Sequence, residues 1–219
     1  MSLVVVGGQA RKVGKTSVVA GLISATGERR WTALKTSGHI HRPHIDATST
    51  LIAAGRGFVL TEEFDPSGDR GFRQVPRLLG QSDTARFMAA GAEHVYWLQT
   101  ETGGLEEAIP HLRGLISPAR DVIVESNSIV RWLAFDLYLL VLDFGVEEFK
   151  ASALQTLDRA SAFLVRRDRE EPLWQGVRLP SRPMLFMDPP QYVTPEIVGF
   201  VRRGLAVEPR ARHGIERTT

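Results

Sequence analysis

The stretch Gly8-Gln9-Ala10-Arg11-Lys12-Val13-Gly14-Lys15-Thr16 constrains this chain more than any other. It has the form of a phosphate-binding loop. Five residues separate Gly8 from Gly14 where the common form has four, and Gln9 stands where the first glycine would normally be. Such a loop requires a strand feeding into it and a helix leaving it. Leu3–Val6 is a continuous apolar run suited to a buried parallel strand, and Thr16–Ala25 opens as a helix. The chemistry follows from the residue types. Glycines let the backbone wrap phosphate oxygens, and the amide N–H groups and the helix N-terminus attract negative charge. Lys15 is placed to reach the outer phosphates, and the Thr16 hydroxyl to bind Mg²⁺. The expected nucleotide contacts are therefore Gly8, Lys12, Val13, Gly14, Lys15, Thr16 and Ser17. The competing reading is a glycine-rich turn beside a surface lysine.

Apolar runs alternate with helical patterns along the rest of the chain, which predicts a three-layer α/β domain with a mainly parallel sheet, a P-loop NTPase fold. The expected strands are Leu3–Val6, Thr32–Lys35, His94–Leu98, Asp121–Glu125, Leu137–Asp143, Ala162–Val165 and Met184–Met187. Helices are expected over Thr16–Ala25, Asp83–Ala90, Leu105–Leu115, Lys150–Leu157 and Pro195–Arg203, with Pro110 expected to kink or shorten the third. Residues 37–81 break this rhythm as one long inserted loop region. Within it lie a short helical pattern, Ala47–Ala54, and a strand-like run, Phe58–Phe64. The organisation expected is a single domain over residues 1–207, with a flexible tail over 208–219 that is rich in charge and poor in large apolar groups.

A total of 219 residues with 43% hydrophobic content can bury a substantial core. The balance of 27 Lys plus Arg against 25 Asp plus Glu leaves a formal charge of +2, which gives no ground for a nucleic-acid partner. No apolar run approaches the ~20 residues of a membrane span. The absence of cysteine excludes disulfides and thiolate metal sites and fits a cytoplasmic location.

A Mg²⁺-bound triphosphate needs carboxylates around the metal and a second cation for the charge that moves during phosphoryl transfer. Candidates belong at the C-terminal ends of parallel strands. Glu125 ends Val122-Ile123-Val124, the place of a Walker B acid; its alternative is a surface carboxylate. Lys35 ends Thr32-Ala33-Leu34; its alternative is a solvated lysine. Asp83 opens a helix after the long region, where a structural cap by Ser82 and Asp83 is the alternative. The reading that joins them has Lys15, Lys35 and Glu125 as the catalytic set and Thr16, Asp83 and Glu125 as the metal set. His39, His41 and His44 with Asp46 form a cluster that suits phosphate or substrate contacts, a solvated loop, or a metal site without an established spacing. Asp143 ends another strand as an acid or a turn residue. No Asn-Lys-x-Asp run reads guanine, and Asp168 after Arg166-Arg167 is a candidate base-facing acid. GTP and ATP both remain open.

These residues resemble two groups of P-loop proteins of the SIMIBI class. The loop spacing is similar to that of dethiobiotin synthetase. In that family a lysine after the second strand contacts substrate, and an Asp at a helix start and a Glu after a later strand bind magnesium; Lys35, Asp83 and Glu125 stand at those places. The layout Lys35-Thr36-Ser37-Gly38-His39, then Ser82-Asp83-Thr84-Ala85-Arg86 and Ala90-Gly91-Ala92, resembles MobB, the molybdopterin-guanine dinucleotide biosynthesis adaptor, although Glu125-Ser126 departs from the Glu-Gly usual there. The MobB resemblance implies GTP binding, slow hydrolysis and a partner enzyme. The synthetase resemblance implies ATP and phosphorylation of a substrate carboxylate. Both imply Mg²⁺ and a homodimer.

Overall fold

A computed structural model describes residues 2–40, 48–64, 82–119 and 121–206. Among these residues the strands are β1 (Ser2–Gly8), β2 (Trp31–Ser37), β3 (Ser49–Ala54), β4 (Phe58–Glu63), β5 (His94–Thr100), β6 (Asp121–Glu125), β7 (Leu137–Asp143), β8 (Ala162–Arg166) and β9 (Met184–Met187). The helices are α1 (Lys15–Ala25), α2 (Asp83–Ala89), α3 (Gly104–Ile116), α4 (Ala151–Leu154) and α5 (Pro195–Ala206). The strands form one sheet in the order β3-β4-β5-β2-β6-β1-β7-β8-β9. Only the β3/β4 and β4/β5 pairings are antiparallel, so β4 alone runs against the rest.

Alternation along the strands builds the three layers. Leu3 and Val5 of β1, Val122 and Val124 of β6, and Tyr138, Leu140 and Leu142 of β7 enter one apolar cluster, which α3 covers through Ala108, Ile109 and Leu112. Val4 and Val6, Ile123, and Leu137, Leu139 and Val141 enter the other, covered by α1, α2 and α5. Central strands buried on both faces must be apolar at every position, which is why β1 and β7 read as unbroken Val/Leu runs. The architecture is the three-layer α/β fold with a mainly parallel sheet expected from the sequence.

Three expectations need correction. Ala47–Ala54, read as helical, contributes the strand Ser49–Ala54, paired antiparallel with β4 across a turn in which Gly55 N–H donates to the Phe58 carbonyl at 3.0 Å. Alanines gave it a helical look, but Thr50 and Ile52 are β-branched and pairing with a neighbouring strand outweighs a weak local preference. Within residues 37–81 the described part holds this hairpin, β3 and β4, which widens the sheet beyond β5. Lys150–Leu157 is not one helix but the single turn Ala151–Leu154 followed by a 3₁₀ turn, Leu157–Arg159. The Thr156 hydroxyl turns back to the Ser152 carbonyl at 3.1 Å and meets the Tyr138 hydroxyl at 3.0 Å, tying the break to the core. Pro110 does not shorten α3, which runs through it to Ile116. Among the described residues no helix is long and apolar enough to cross a membrane.

Candidate functional site

Strand register alone brings two of the expected residues together. Lys35 of β2 and Glu125 of β6 are lateral partners, and Glu125 is in turn the partner of Val6, just before the phosphate loop. Their parity matches that of Ala33 and Ile123, whose side chains face the layer of α1 and α2. Both helices start beside them, and so deliver Thr16 and Asp83 to one point.

There the Thr16 hydroxyl donates to Glu125 Oε2 at 2.9 Å. The Lys35 ammonium pairs with Glu125 Oε1 and with Asp83 Oδ2, the latter at 2.7 Å. Glu125 is only 2% exposed, and the Thr36 hydroxyl donates to its carbonyl at 3.1 Å. A buried carboxylate persists because it is paired and hydrogen-bonded on both oxygens. Asp83 is half-buried. Burial pushes its carboxyl up, but the hydrogen bond and charge of Lys35, helped by Thr16 and Arg86, hold it below its ordinary value. Asp83 and the capping residue Ser82 divide the roles that the sequence left open: Ser82 Oγ accepts from Ala85 N–H at 3.1 Å, and Asp83 faces Lys35.

The phosphate loop bends through two left-handed residues, Lys12 at φ 60° and Gly14 at φ 104°. Only glycine fits at Gly14, since a Cβ would also lie 2.5 Å from the Tyr192 ring. The Lys15 ammonium folds back onto the Ala10 carbonyl at 2.8 Å. Burial lowers its pKa below the ordinary 10.5; Glu125 opposes this, and Lys150 and Lys35 add to it. The loop opens on a cavity of about 930 Å³ lined mainly by polar and charged residues. Lys12, Gly14, Lys15, Thr16, Ser17, Lys35, Asp83 and Glu125 all line it. Gly8 and Val13 do not. The Gly8 N–H and carbonyl are both taken by the Asn127 carboxamide, at 2.7 and 2.9 Å, and the Val13 side chain is buried in the core.

His39 lies exposed on the cavity rim, whereas His41, His44 and Asp46 fall outside the described residues. Asp143 is a turn residue: its carboxylate accepts from Gly145 N–H at 2.9 Å and faces Arg166 at 3.5 Å. Asp168 is exposed and paired with Arg166 at 2.7 Å, away from the cavity lining. Among the described residues no group of three or more His, Asp and Glu is disposed to hold a metal ion.

Sequence reasoning gave no role to Asn127 or Arg86, though it noted the runs that hold them, and missed Lys150 and Tyr192; all four line the cavity. Arg86 bridges the two helices by donating to Ser17 Oγ at 2.8 Å. The polar run Ser126-Asn127-Ser128 after an apolar strand was a usable signal for Asn127. Lys150 and Tyr192 lie 135 and 177 residues beyond Lys15, with no motif around them. The Gln9 substitution in the loop was visible, but its purpose was not. Its side chain, wholly buried, bonds to the backbone of Asp143, Val146 and Glu148.

No family model matches this chain, and no curated protein matches it. Among solved structures, the "apo" form of LpxK from Aquifex aeolicus in complex with ATP aligns at 18% identity with a TM-score of 0.46, covering 86% of this chain and 54% of that one. The chain thus spans about half the length of that protein.

Proposed function

We propose that this protein binds a nucleoside triphosphate with Mg²⁺ and acts on its terminal phosphoryl group, most simply as a slow GTP or ATP hydrolase that serves as a MobB-like adaptor in cofactor biosynthesis. The observation that carries this reading is the junction of Lys35 with both Glu125 and Asp83, beside Thr16 at the mouth of the phosphate loop. Lys15 and the loop amides hold the phosphates. Thr16, Glu125 and Asp83 offer oxygen donors only, the chemistry Mg²⁺ prefers, and it binds through few protein ligands together with phosphates and water. The shared position of Lys35 between the two acids supports a place where positive charge is favoured. When bound, Mg²⁺ neutralises charge on the phosphate oxygens. Glu125 holds the Thr16 hydroxyl in orientation, and Lys35 stands ready for the negative charge that develops at the terminal phosphate. On this reading the protein works in the cytoplasm as a homodimer beside a partner enzyme.

A second reading, transfer to a small acceptor by a dethiobiotin synthetase-like ligase or kinase, is favoured by the reach of the cavity. It continues from the phosphate loop to Ser37, Thr100 and Glu101 at the ends of β2 and β5. Calorimetry with Mg²⁺ and ATP or GTP tests the shared core: the wild type binds one of them and Lys15→Ala binds neither. A wild-type protein that binds neither nucleotide, or a Lys15→Ala variant with unchanged affinity, sinks both readings. GTP selectivity without acceptor stimulation supports the adaptor; acceptor-dependent ATP turnover supports transfer.

A further inference from the structure

Lys150 belongs to none of the sequence motifs, yet it lines the same cavity as Lys15 and Lys35. It ends the connection from β7 to α4, and Gln9 of the phosphate loop fastens that connection through its side chain and its backbone. Gln9 Nε2 donates to the carbonyls of Asp143 at 3.1 Å, Val146 at 2.9 Å and Glu148 at 3.4 Å, while its Oε1 accepts from Asp143 N–H at 2.8 Å. The Gln9 carbonyl accepts the Lys150 N–H itself at 2.8 Å. Asn127 adds a second tie, bonding Gly8 through backbone donor and acceptor and reaching Ser152 Oγ at 3.2 Å. The Lys150 backbone is therefore indexed to the residue that opens the phosphate loop.

Its side chain is not anchored. Among the described residues the Lys150 ammonium has no hydrogen bond and no salt bridge. Burial pulls its pKa down, Glu148 pulls it back, and Arg11 and Lys35 lower it further; Lys150 in turn depresses Lys15. A lysine partly withdrawn from water loses hydration that a counter-charge would restore. A cation set among cations, facing a polar cavity and held by a rigid backbone, is in the arrangement that anchors an anion.

The geometry points to Lys150 as a second phosphate-contact residue, supplied from outside the phosphate loop, whose ammonium binds the terminal phosphate of the triphosphate beside Lys15 and Lys35. This rests on the nucleotide-binding reading above. It also assigns a purpose to Gln9: a glycine there has no side chain to bond the connection that carries Lys150.

The test is calorimetry of the full chain with Mg²⁺ and the non-hydrolysable imido analogues of ATP and GTP, against ADP and GDP. The proteins are wild type, Lys15→Ala, Lys150→Met and Lys150→Arg. Lys150→Met is expected to weaken the better-bound triphosphate by about 10-fold or more, the usual effect of losing a charge-assisted hydrogen bond, and the matching diphosphate by much less. Lys150→Arg keeps the charge and retains most of the affinity. Thermal unfolding of the ligand-free Lys150→Met protein stays at the wild-type temperature, because among the described residues the ammonium has no partner to lose. Triphosphate affinity within twofold of wild type in Lys150→Met, while Lys15→Ala loses binding, overturns this inference and leaves the nucleotide-binding reading standing. Equal losses for triphosphate and diphosphate overturn the assignment to the terminal phosphate. A wild type that binds no nucleotide removes both.

Discussion

At the scale of single residues, the site is a balance of charges that a ligand must complete. Lys15 is held below its ordinary 10.5 by burial and by Lys150 and Lys35. Triphosphate binding restores favourable charge around it, so affinity falls as pH rises through the lowered value, and binding in that window takes up a proton. Titrations in buffers of different ionisation enthalpy measure this directly; a pH-independent affinity up to 10.5 contradicts it. The same shift has a sign for stability. The unfolded chain keeps this proton more tightly than the folded one, so the Lys15 contribution favours folding more as pH rises between the lowered value and 10.5. Glu125 orients Thr16 through the 2.9 Å bond. Partners that orient a metal ligand are worth ~10–100-fold in metal affinity, so Glu125→Gln is expected to raise the Mg²⁺ concentration needed for half-maximal nucleotide binding by that factor. A magnesium titration monitored by nucleotide fluorescence checks it.

At the scale of elements, close approaches and buried amides set the geometry. The start of α3 is pressed against the turn between β3 and β4. A Cβ on Gly104 would lie 1.7 Å from the Gly57 carbonyl oxygen, which already accepts from Glu101 N–H at 2.8 Å. Gly104→Ala must push hairpin and helix apart, and it is expected to cost about 1–3 kcal/mol, the range of overpacking changes, read as a lower denaturant midpoint. Since Glu101, Gly103 and Leu105 line the cavity, its far wall moves as well. Gln9→Ala removes the partner of the buried Asp143 N–H and the side-chain donor to the Val146 carbonyl, at ~1–3 kcal/mol for a buried group left unsatisfied. Its loss of stability is expected to exceed that of Lys150→Met, although both weaken triphosphate binding. Chemical denaturation of the two variants side by side distinguishes fastening from contact.

At the scale of the whole molecule, the central strands are buried and the β3 edge is exposed. Native-state hydrogen exchange is expected to be slowest in β1, β6 and β7, whose residues are almost all buried, and fastest among the strands in β3, where five of six residues are exposed or partly so. Uniform protection across the sheet contradicts this. The apolar runs made β1, β2 and β5 to β9 readable, most plainly where a strand covered on both faces has no choice but to be apolar, as the run Phe58–Phe64 did β4, and Gly14-Lys15-Thr16 made the phosphate loop readable because the chemistry is contiguous. The strand Ser49–Ala54 was illegible, since an edge strand exposes one face and takes its conformation from its neighbour. Local sequence by itself determined the layered α/β class, the loop, and the acids and lysine standing at strand and helix ends. Only the tertiary structure decided that Lys35 lies between Glu125 and Asp83, that Gln9 fastens the β7–α4 connection, and that Lys150 faces the same cavity as Lys15. Those relations depend on lateral register and on loops returning across more than a hundred residues, and a pattern read along the chain carries no term for either.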